Sequence, residues 1–302
     1  MILVFAYAIN KRVFCRIMTD KNTVFPVKKT LNVAGRLVDL SVPKVAGILN
    51  LTPDSFYDGG RNNSREFALK RIELMLSEGA DMIDIGAYSS RPKAEHISEE
   101  GELSRLLPVL KAVVKEFPEA VISIDTFRSG IANAAIGEGA HIINDISGGE
   151  LDAEMFAVVK KLGVPYILMH MKGSPQTMLQ EAFYEDVVYE VFQYFSRKIK
   201  ILTNCGIKDI IIDPGFGFAK KPEHSFELLK NLEQFKLLGH PLMAGLSRKS
   251  MIYQTLDTNA EEALNGTVSA NTIALMKGAS ILRVHDVKAA VEAVRIVERV
   301  KS

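Results

Sequence analysis

Residues 210–220 read IIIDPGFGFAK, and this stretch predicts both the fold and the position of a functional site. Three consecutive isoleucines are typical of a strand buried on both faces, as in a parallel sheet covered by helices. Asp213 follows where that strand must end, because Pro214 cannot donate to a strand ladder and the nearby glycines favour a turn. Its carboxylate is either satisfied by backbone N–H groups or available to a ligand with paired donors, beside Phe218 and Lys220.

The composition is that of an ordinary globular protein. The chain has 302 residues, of which 24% are charged and 47% hydrophobic, and its formal net charge is +1. This length suits one large α/β barrel as well as two smaller domains. A net charge near zero gives no support for bulk binding to nucleic acid or membranes, so anion specificity must come from a few focused positive side chains. Since Cys15 and Cys205 are the only cysteines, we expect no disulfide framework or thiolate metal site, and a cytoplasmic location.

The start of the chain differs from the rest. Residues 1–8 are apolar, but they are too short to span a membrane and no basic region precedes them, as a secretory signal would require. We therefore predict that residues 1–30 are an extension that is poorly ordered in part, and that residues 31–302 form the working domain. Residues 31–40 alternate weakly around Ala34-Gly35-Arg36, which predicts a small hairpin that could close the bottom of a barrel.

A first testable prediction concerns this extension. Because residues 1–17 carry no targeting pattern, a chain that begins at Met18 is expected to fold and to turn over like the full chain. Expression and activity of the shortened chain measure this, and loss of either would show that the segment packs against the domain.

From residue 44 onward, short apolar runs alternate with segments of helical periodicity. Strands are predicted at residues 45–49, 82–85, 121–124, 141–143, 166–169, 210–212, 241–244 and 281–284, with amphipathic helices such as 64–77, 103–116 and 187–204 between them. Glycines suited to ending a helix recur just before the strands, at 79, 139, 163, 206, 239 and 278. Strand–helix cycles of this number over about 250 residues predict a single α/β domain, a (β/α)₈ TIM barrel with a short N-terminal hairpin.

In such a barrel, functional side chains collect where the strands end. The predicted strand ends carry Asn50, Asp84 with Gly86, Asp125, Asn144, His170, Asp213, Ser247 to Lys249, and Arg283 with His285. Each has an ordinary structural explanation when taken alone: Asn144-Asp145 could form a turn, and Asp125-Thr126 could cap the next helix. Their accumulation at one rim indicates a site.

Two kinds of chemistry can be separated at this rim. The positive set is Arg91, Arg248, Lys249, Arg283 and His285, and with backbone N–H groups at a helix start it suits phosphates. The other set is Asp125, Asn144 and Asp213, whose oxygens and amide match a flat heterocycle with adjacent N–H donors, such as the edge of a pterin or guanine. The predicted pocket therefore takes a flat, donor-rich ring that carries an anionic leaving group or tail.

Long motifs in this chain resemble those of the dihydropteroate synthase family, in the family's order, from about residue 44 to the carboxyl terminus. They are GILNLTPDSFYDGG at 47–60, DIG at 84–86 with SRP at 90–92, DT at 125–126, NDISGG at 144–149, MHMKGSPQTM at 169–178, DPGFGFAK at 213–220, SRKS at 247–250 and RVHD at 283–286. The resemblance implies condensation of 4-aminobenzoate with the diphosphate of 6-hydroxymethyl-7,8-dihydropterin, which yields 7,8-dihydropteroate and diphosphate.

The resemblance also implies a role for each matched residue. It places the pterin on Asp125, Asn144, Asp213 and Lys249, the diphosphate on Asn50, Arg283 and His285 with Mg²⁺ at Asn50, and aminobenzoate beside Ser90, Arg91, Pro92, Phe218, Lys249 and Ser250. We expect Asp125, Lys249, Arg283 and His285 to take part in catalysis, since they can balance charge as the diphosphate leaves. No side chain is needed as a covalent nucleophile.

The chain departs from the family pattern in one loop. Where the family usually has Gly or Ala followed by Glu, Ser and Thr, this chain has Ala87-Tyr88-Ser89-Ser90, and Lys93 replaces a usual Gly. These changes bear on how the loop holds the second substrate.

Two other functions remain as alternatives, a folate–corrinoid type methyltransferase and a non-catalytic pterin-binding paralogue. The first would not need the SRP loop, and the second would carry lesions at the metal or anion positions. Small residues between Gly266 and Gly278 suit either a homodimer interface or burial inside the monomer.

Overall fold

The computed structural model describes residues 26–51, 61–89 and 96–302, with side chains described from residue 65 onward in the second range. The extension before residue 26, the motif residues 52–60, and Ser90, Arg91, Pro92 and Lys93 lie outside the described residues. The last residues of the predicted extension contact the barrel, because the Lys28 amide donates to the Gly239 carbonyl at 3.0 Å and its ammonium bonds Asp209 at 2.6 Å.

A two-stranded antiparallel hairpin precedes the barrel, as predicted. Its strands are β1 (Thr30–Val33) and β2 (Arg36–Asp39), paired from Thr30 with Asp39 to Val33 with Arg36. Ala34 and Gly35 make the turn with φ values of 49° and 81°, the left-handed conformation that a tight hairpin turn requires. Leu31, Val33 and Leu40 pack against the lower end of the barrel, so the hairpin closes that end.

Eight parallel strands form one sheet in the order β8-β7-β6-β5-β4-β3-β10-β9. They are β3 (Lys44–Asn50), β4 (Met82–Gly86), β5 (Val121–Asp125), β6 (Ile142–Asp145), β7 (Tyr166–Met169), β8 (Ile210–Asp213), β9 (Met243–Ala244) and β10 (Ile281–Val284). A parallel bridge between Ile212 and Leu242 joins the two ends of the sheet and closes the barrel. The predicted (β/α)₈ architecture is confirmed, although β9 is shorter than the predicted run 241–244.

Helices on the outside of the sheet connect the strands. They are α1 (Arg61–Ser77), α2 (Glu99–Glu116), α3 (Ser129–Gly137), α4 (Met155–Leu162), α5 (Val187–Asn204), α6 (Pro222–Lys230), a 3₁₀ helix (Leu232–Leu238), α7 (Ser250–Thr255), α8 (Leu264–Met276) and α9 (Val287–Lys301). Helix α2 begins four residues before its predicted start because the Ser98 hydroxyl caps it by accepting the Gly101 N–H at 3.1 Å. The glycines predicted to end helices all have positive φ, at 79, 139, 163, 206, 239 and 278.

The three isoleucines of β8 are buried on both faces, as predicted. Ile210 and Ile212 lie in the large apolar cluster between the sheet and the helices, whereas Ile211 points into the barrel. Because alternate side chains of a strand share a face, Asp213 points into the barrel as Ile211 does. Among the helices of the described ranges, none is long and apolar enough to cross a membrane.

The barrel interior has two layers of opposite character. The lower layer is apolar and contains Ala46, Met82, Ile142, Ile167, Ile211, Met243 and Ile281. The residues two positions later on these strands face the same way and include Asp84, Asn144, Asp213 and Arg283. Polar chemistry is therefore confined to the carboxyl-terminal half of the interior, above an apolar floor.

Candidate active site at the carboxyl-terminal rim

Strand register brings the predicted polar residues to one level of the barrel. Asn50 pairs with Gly86, Gly86 with Asp125, and Asp125 with Asn144, so these residues form one row across β3 to β6. Gly86 carries no side chain, and a Cβ there would stand 3.6 Å from Asp125 Oδ2 and 3.7 Å from Asn50 Oδ1. The row therefore presents an amide and a carboxylate on either side of a glycine.

Arg283 connects this row with a second acidic residue. Its Nε donates to Asp84 Oδ2 at 2.6 Å and its Nη2 to Asp125 Oδ2 at 2.7 Å. Asn144 Nδ2 also donates to Asp84 Oδ2, at 3.0 Å. Asp84, which is 2% exposed, thus anchors both Arg283 and Asn144 from below. The sequence placed Asp84 at the rim without a role, and only the contact across the barrel reveals that it orients two of the predicted site residues.

Asp213, Asp125 and Asn144 each keep one acceptor oxygen without a hydrogen-bond partner among the residues that the structure describes, as does the buried Oδ1 of Asp84. Asp213 Oδ1 accepts the Gly215 N–H at 2.8 Å, so Oδ2 is the oxygen of this carboxylate without a partner. Asp125 Oδ2 accepts from Arg283, and Asn144 Nδ2 donates to Asp84, so the Oδ1 atom of each residue is without a partner. Burial raises the pKa of Asp125 to about 7, although the charge of Arg283 opposes this shift. Burial also raises the pKa of Asp213, and there the hydrogen bond from the Gly215 N–H opposes the shift. A ligand that donates N–H groups to these oxygens compensates for the lost water and favours the ionised carboxylates.

Lys249 lies between the acidic residues and the aromatic side of the site. Its ammonium donates to the Phe216 carbonyl and stands 4.3 Å from the centre of the Phe218 ring, within cation–π distance. Burial lowers the pKa of Lys249 to about 8, and the Asp213 carboxylate opposes this shift. Ser250 follows directly as the first residue of α7. The structure thus brings Lys249 beside Phe218 and makes Ser250 its neighbour in the chain.

His285 and Arg248 differ from the charge pattern that the sequence suggested. Burial and the nearby Arg283 lower the pKa of His285 to about 4, so it is neutral in the free protein at pH 7. Its Nδ1 lies 3.1 Å from the Ser247 hydroxyl, which also accepts the His285 backbone N–H. Arg248 makes two 2.8 Å bonds to Asp286 and also donates to the carbonyls of loop residues 260–261, which makes it a brace for the loops.

His170, which the sequence places at the rim, and Lys220, which it places beside Asp213, are buried beneath the loop that follows β8. Lys220 Nζ lies 2.9 Å from His170 Nδ1 and donates to the carbonyl groups of His170 and Phe218. Burial lowers the pKa of each well below its ordinary value. Neither side chain is available to a substrate in this arrangement.

Tyr88, one of the departures from the family pattern, joins three loops. Its hydroxyl lies 3.1 Å from His96 Nδ1 and accepts from Gln176 Nε2 at 2.8 Å. Its ring meets Phe127 edge to face with centroids 5.0 Å apart. A small apolar cluster results on the rim, distinct from the main core, with Phe218 packed against it. The sequence identified Tyr88 as unusual but could not supply its partners, which come from distant segments.

The donor set at the row fits a magnesium ion. Asn50 Oδ1 is a hard oxygen atom on the same side of Gly86 as Asp125, and Mg²⁺ is usually held by few protein oxygens, by substrate phosphates and by water. No cluster of three or more His, Cys, Asp or Glu side chains suited to a metal occurs in the described part of the chain. Such a cluster is not required for an ion that is shared with a diphosphate.

Comparison with known proteins agrees with this geometry. The family described as pterin binding enzyme matches residues 46–285. Dihydropteroate synthase from Escherichia coli K12 is 45% identical over 270 residues, which cover 87% of this chain and 94% of that protein. The crystal structure of Yersinia pestis dihydropteroate synthase with a sulfonamide drug complex superposes with a TM-score of 0.85 at 40% identity, covering 90% and 99% of the two chains.

A further solved structure contains 7,8-dihydropteroate. Dihydropteroate synthase from Xanthomonas albilineans in complex with 7,8-dihydropteroate superposes with a TM-score of 0.81 at 36% identity, over 90% of this chain and 99% of that one. Motifs, barrel and rim geometry agree with these matches, and the chain therefore belongs to the pterin binding enzyme family, among the dihydropteroate synthases.

Proposed function

We propose that this protein is a dihydropteroate synthase that joins 4-aminobenzoate to the methylene carbon of (7,8-dihydropterin-6-yl)methyl diphosphate and releases diphosphate. The observation that carries the proposal is the group of three acceptor oxygens on Asp125, Asn144 and Asp213, next to Arg283 and Lys249. Acceptors alone would suit many donors. Their combination with two fixed cations suits a flat, donor-rich ring that carries a diphosphate.

The pterin binds to the acceptor group. The ring presents its amino group and ring N–H to Asp213 Oδ2, and Asn144 and Asp125 take the other edge. Charge-assisted hydrogen bonds of this kind contribute about 1.5–3 kcal/mol each. Since Asp84 and the Gly215 N–H hold Asn144 and Asp213 before the ligand arrives, little ordering is required on binding.

Departure of the diphosphate requires compensation of its charge. Arg283 supplies a permanent positive charge, and neutral His285 supplies a hydrogen-bond donor whose ring is oriented by Ser247. Asn50, with phosphate oxygens and water, would hold Mg²⁺, which neutralises the leaving group when bound. Arg283 is already held by Asp84 and Asp125, so it needs no reorganisation as charge develops.

The transfer follows a dissociative substitution. The carbon–oxygen bond to diphosphate breaks, and the electron pair leaves with the diphosphate. The ionised Asp125 carboxylate favours the positive charge that spreads from the methylene carbon into the ring. The aniline nitrogen of 4-aminobenzoate then forms the new carbon–nitrogen bond and loses a proton to solvent.

The second substrate lies on the Phe218 side of the site. We infer that Phe218 packs on the aminobenzoate ring, that Lys249 and Ser250 meet its carboxylate, and that Ser90, Arg91 and Pro92 complete the pocket. Lys249 lies over the Phe218 ring and Ser250 follows it in the chain, which supports the first two assignments; Ser90, Arg91 and Pro92 are assigned by resemblance to the family motif.

The reaction itself tests the proposal. Purified protein with the pterin diphosphate and Mg²⁺ is expected to release diphosphate only when 4-aminobenzoate is added, with 7,8-dihydropteroate formed in equal amount. Pterin binding without release would indicate a non-catalytic paralogue. Methyl transfer from methyltetrahydrofolate to a corrinoid, without aminobenzoate-dependent release, would indicate a methyltransferase.

Sulfonamides provide a second prediction. Their sulfonyl oxygens resemble the aminobenzoate carboxylate, and their aniline amine can attack the same carbon. We expect inhibition that is competitive with aminobenzoate and not with the pterin diphosphate, and slow use of the drug as a substrate. Steady-state inhibition with each substrate varied in turn measures this. Inhibition that rising aminobenzoate does not relieve would contradict the placement of Phe218, Pro92 and Ser250.

We also propose a homodimer through α8 and α9, which pack against each other. The small residues Ala270 and Ala274 of α8 are buried inside the monomer and are not available for an interface. The outer surface instead exposes Ile273, Met276, Ile296 and Val300. Apolar side chains grouped on neighbouring helices are typical of an interface.

A charge placed on this surface tests the dimer. Ile273→Lys is expected to shift the protein from dimer to monomer in analytical ultracentrifugation, whereas Leu37→Lys, an exposed apolar residue on the hairpin, should not. A monomeric parent protein would contradict the proposal. The cytoplasmic location and the division into residues 1–30 and 31–302 remain proposals from the sequence.

A further inference from the structure

We propose that Lys220 is a positioning residue for the second substrate, because it ties the loop after β8 to the end of β7 from beneath. The inference rests on the proposed function and assigns a role to a buried side chain that the reaction itself does not use. Lys220 is 4% exposed, and its partners are protein atoms, so it acts through other residues.

Protein atoms surround the Lys220 amino group. Three lie within hydrogen-bond distance of Nζ: the His170 carbonyl at 3.1 Å and the Phe218 carbonyl at 2.9 Å, which accept from it, and His170 Nδ1 at 2.9 Å, whose role follows the histidine tautomer. Two of these belong to the segment after β7, and one belongs to the loop after β8. Lys220 therefore connects two consecutive strand–helix loops.

The loop after β8 packs closely against His170, the residue that Lys220 contacts. A Cβ at Gly215 would stand 2.2 Å from the His170 carbonyl oxygen, so only glycine permits this approach. Gly215 also has a φ of 68°, and its carbonyl accepts the Phe218 N–H at 3.0 Å. The turn is thus fixed at its start by contact with His170 and at its end by Lys220.

The same turn carries the features that form the aminobenzoate side. The Phe216 carbonyl holds the Lys249 ammonium, and the Phe218 ring lies 4.3 Å from that ammonium. If Lys220 is removed, the Phe218 carbonyl loses its anchor and the ring is free to shift. A displacement of about 1 Å at a binding group can cost about 10²-fold in rate.

Apart from Lys249, which the same turn holds, the pterin side is held by groups other than Lys220. Asp213 is the last residue of β8, and its carbonyl accepts the His170 N–H at 3.0 Å. Its carboxylate is held by the Gly215 N–H, and Asn144 and Asp125 are held by Asp84 and Arg283. Loss of Lys220 is therefore expected to affect the two substrates unequally, whereas a merely structural role would lower stability without such a difference.

Lys220→Met and its matched control Lys221→Met test this. Lys221 is the adjacent, exposed lysine. We expect Lys220→Met to raise the KM for 4-aminobenzoate by about 10- to 100-fold while the KM for the pterin diphosphate changes less than about threefold. Lys221→Met should leave both unchanged. Equal changes in both KM values, or no change, in a folded variant would overturn the inference.

A double-mutant cycle identifies the residue through which Lys220 acts. In a Phe218→Ala background, Lys220→Met should raise the KM for aminobenzoate far less than it does alone, since the ring it positions is gone. Independent effects would contradict the mechanism. If Lys220→Met does not fold, His170→Ala takes its place, because it removes one of the three contacts of Lys220. It should raise the KM for aminobenzoate selectively but by a smaller factor. An unchanged KM would overturn the inference.

The unmodified chain separates the two proposals. If it shows no aminobenzoate-dependent release of diphosphate, the proposed function fails. If the unmodified chain and Lys221→Met are active and Lys220→Met is not selectively impaired, only the role of Lys220 fails.

Discussion

Replacing Arg283 by Met is expected to lower kcat by about 10²- to 10³-fold, the usual cost of removing a fixed group that stabilises developing charge. Arg283 is a permanent cation that bonds directly to Asp125 in the row that also contains Asn50 and Asn144. The same change should destabilise the protein by about 3–5 kcal/mol, because Asp84 and Asp125 then lose their buried partner. Single-turnover kinetics and denaturant unfolding measure the two effects.

A second substitution separates catalysis from stability in the Arg283 variant. Asp84→Asn combined with Arg283→Met removes one uncompensated buried charge, so part of the lost stability should return while kcat stays low. Arg295→Met, at an exposed arginine of α9, is the matched control and should change neither quantity. Near-normal kcat in folded Arg283→Met would contradict the assigned role.

Replacing Asp213 by Ala is expected to weaken binding of the pterin diphosphate by at least about tenfold, since one or more charge-assisted hydrogen bonds of about 1.5–3 kcal/mol are lost. Asp213→Asn should weaken it less drastically. An amide can still accept the Gly215 N–H, but it replaces one acceptor oxygen by a donor. Calorimetric titration without aminobenzoate measures binding before any chemistry occurs.

Asp209 supplies the control for the Asp213 experiment. It precedes the same strand at the opposite end of the barrel, where it pairs with Lys28 at 2.6 Å. Asp209→Ala should leave pterin affinity unchanged, and circular dichroism should show the folded barrel in each variant. An unchanged affinity in Asp213→Ala would remove the central role of this carboxylate.

Local patterns in the sequence were sufficient to predict the barrel. Three isoleucines in a row can only be buried by covering both faces of a strand, and both faces of β8 are covered. Glycines at helix ends were predictable because helix termination with positive φ is a backbone property of the residue itself. The helix starts were less accurate, since apolar periodicity begins after the cap, as it does in α2.

The sequence also determined which side chains reach the rim, because each follows a strand and parallel strands end at the same edge. It could not determine which of these side chains contact one another. Arg283 reaches Asp84 and Asp125, which precede it by 199 and 158 residues, and no local signal encodes such a pairing. The same is true of Tyr88 with Gln176.

The basic residues near the rim differ in their burial and in their partners. Lys220, Arg248 and His285 all carry basic groups in the sequence, and all three were candidates for the site. Tertiary packing directs Lys220 beneath a loop, pairs Arg248 with Asp286 and holds His285 neutral beside Arg283. The sequence by itself determined the barrel, its polar rim and its chemical class. Only the tertiary structure decided which basic groups are buried, paired or left facing the rim, because desolvation and long-range partners depend on positions that the chain reaches after folding.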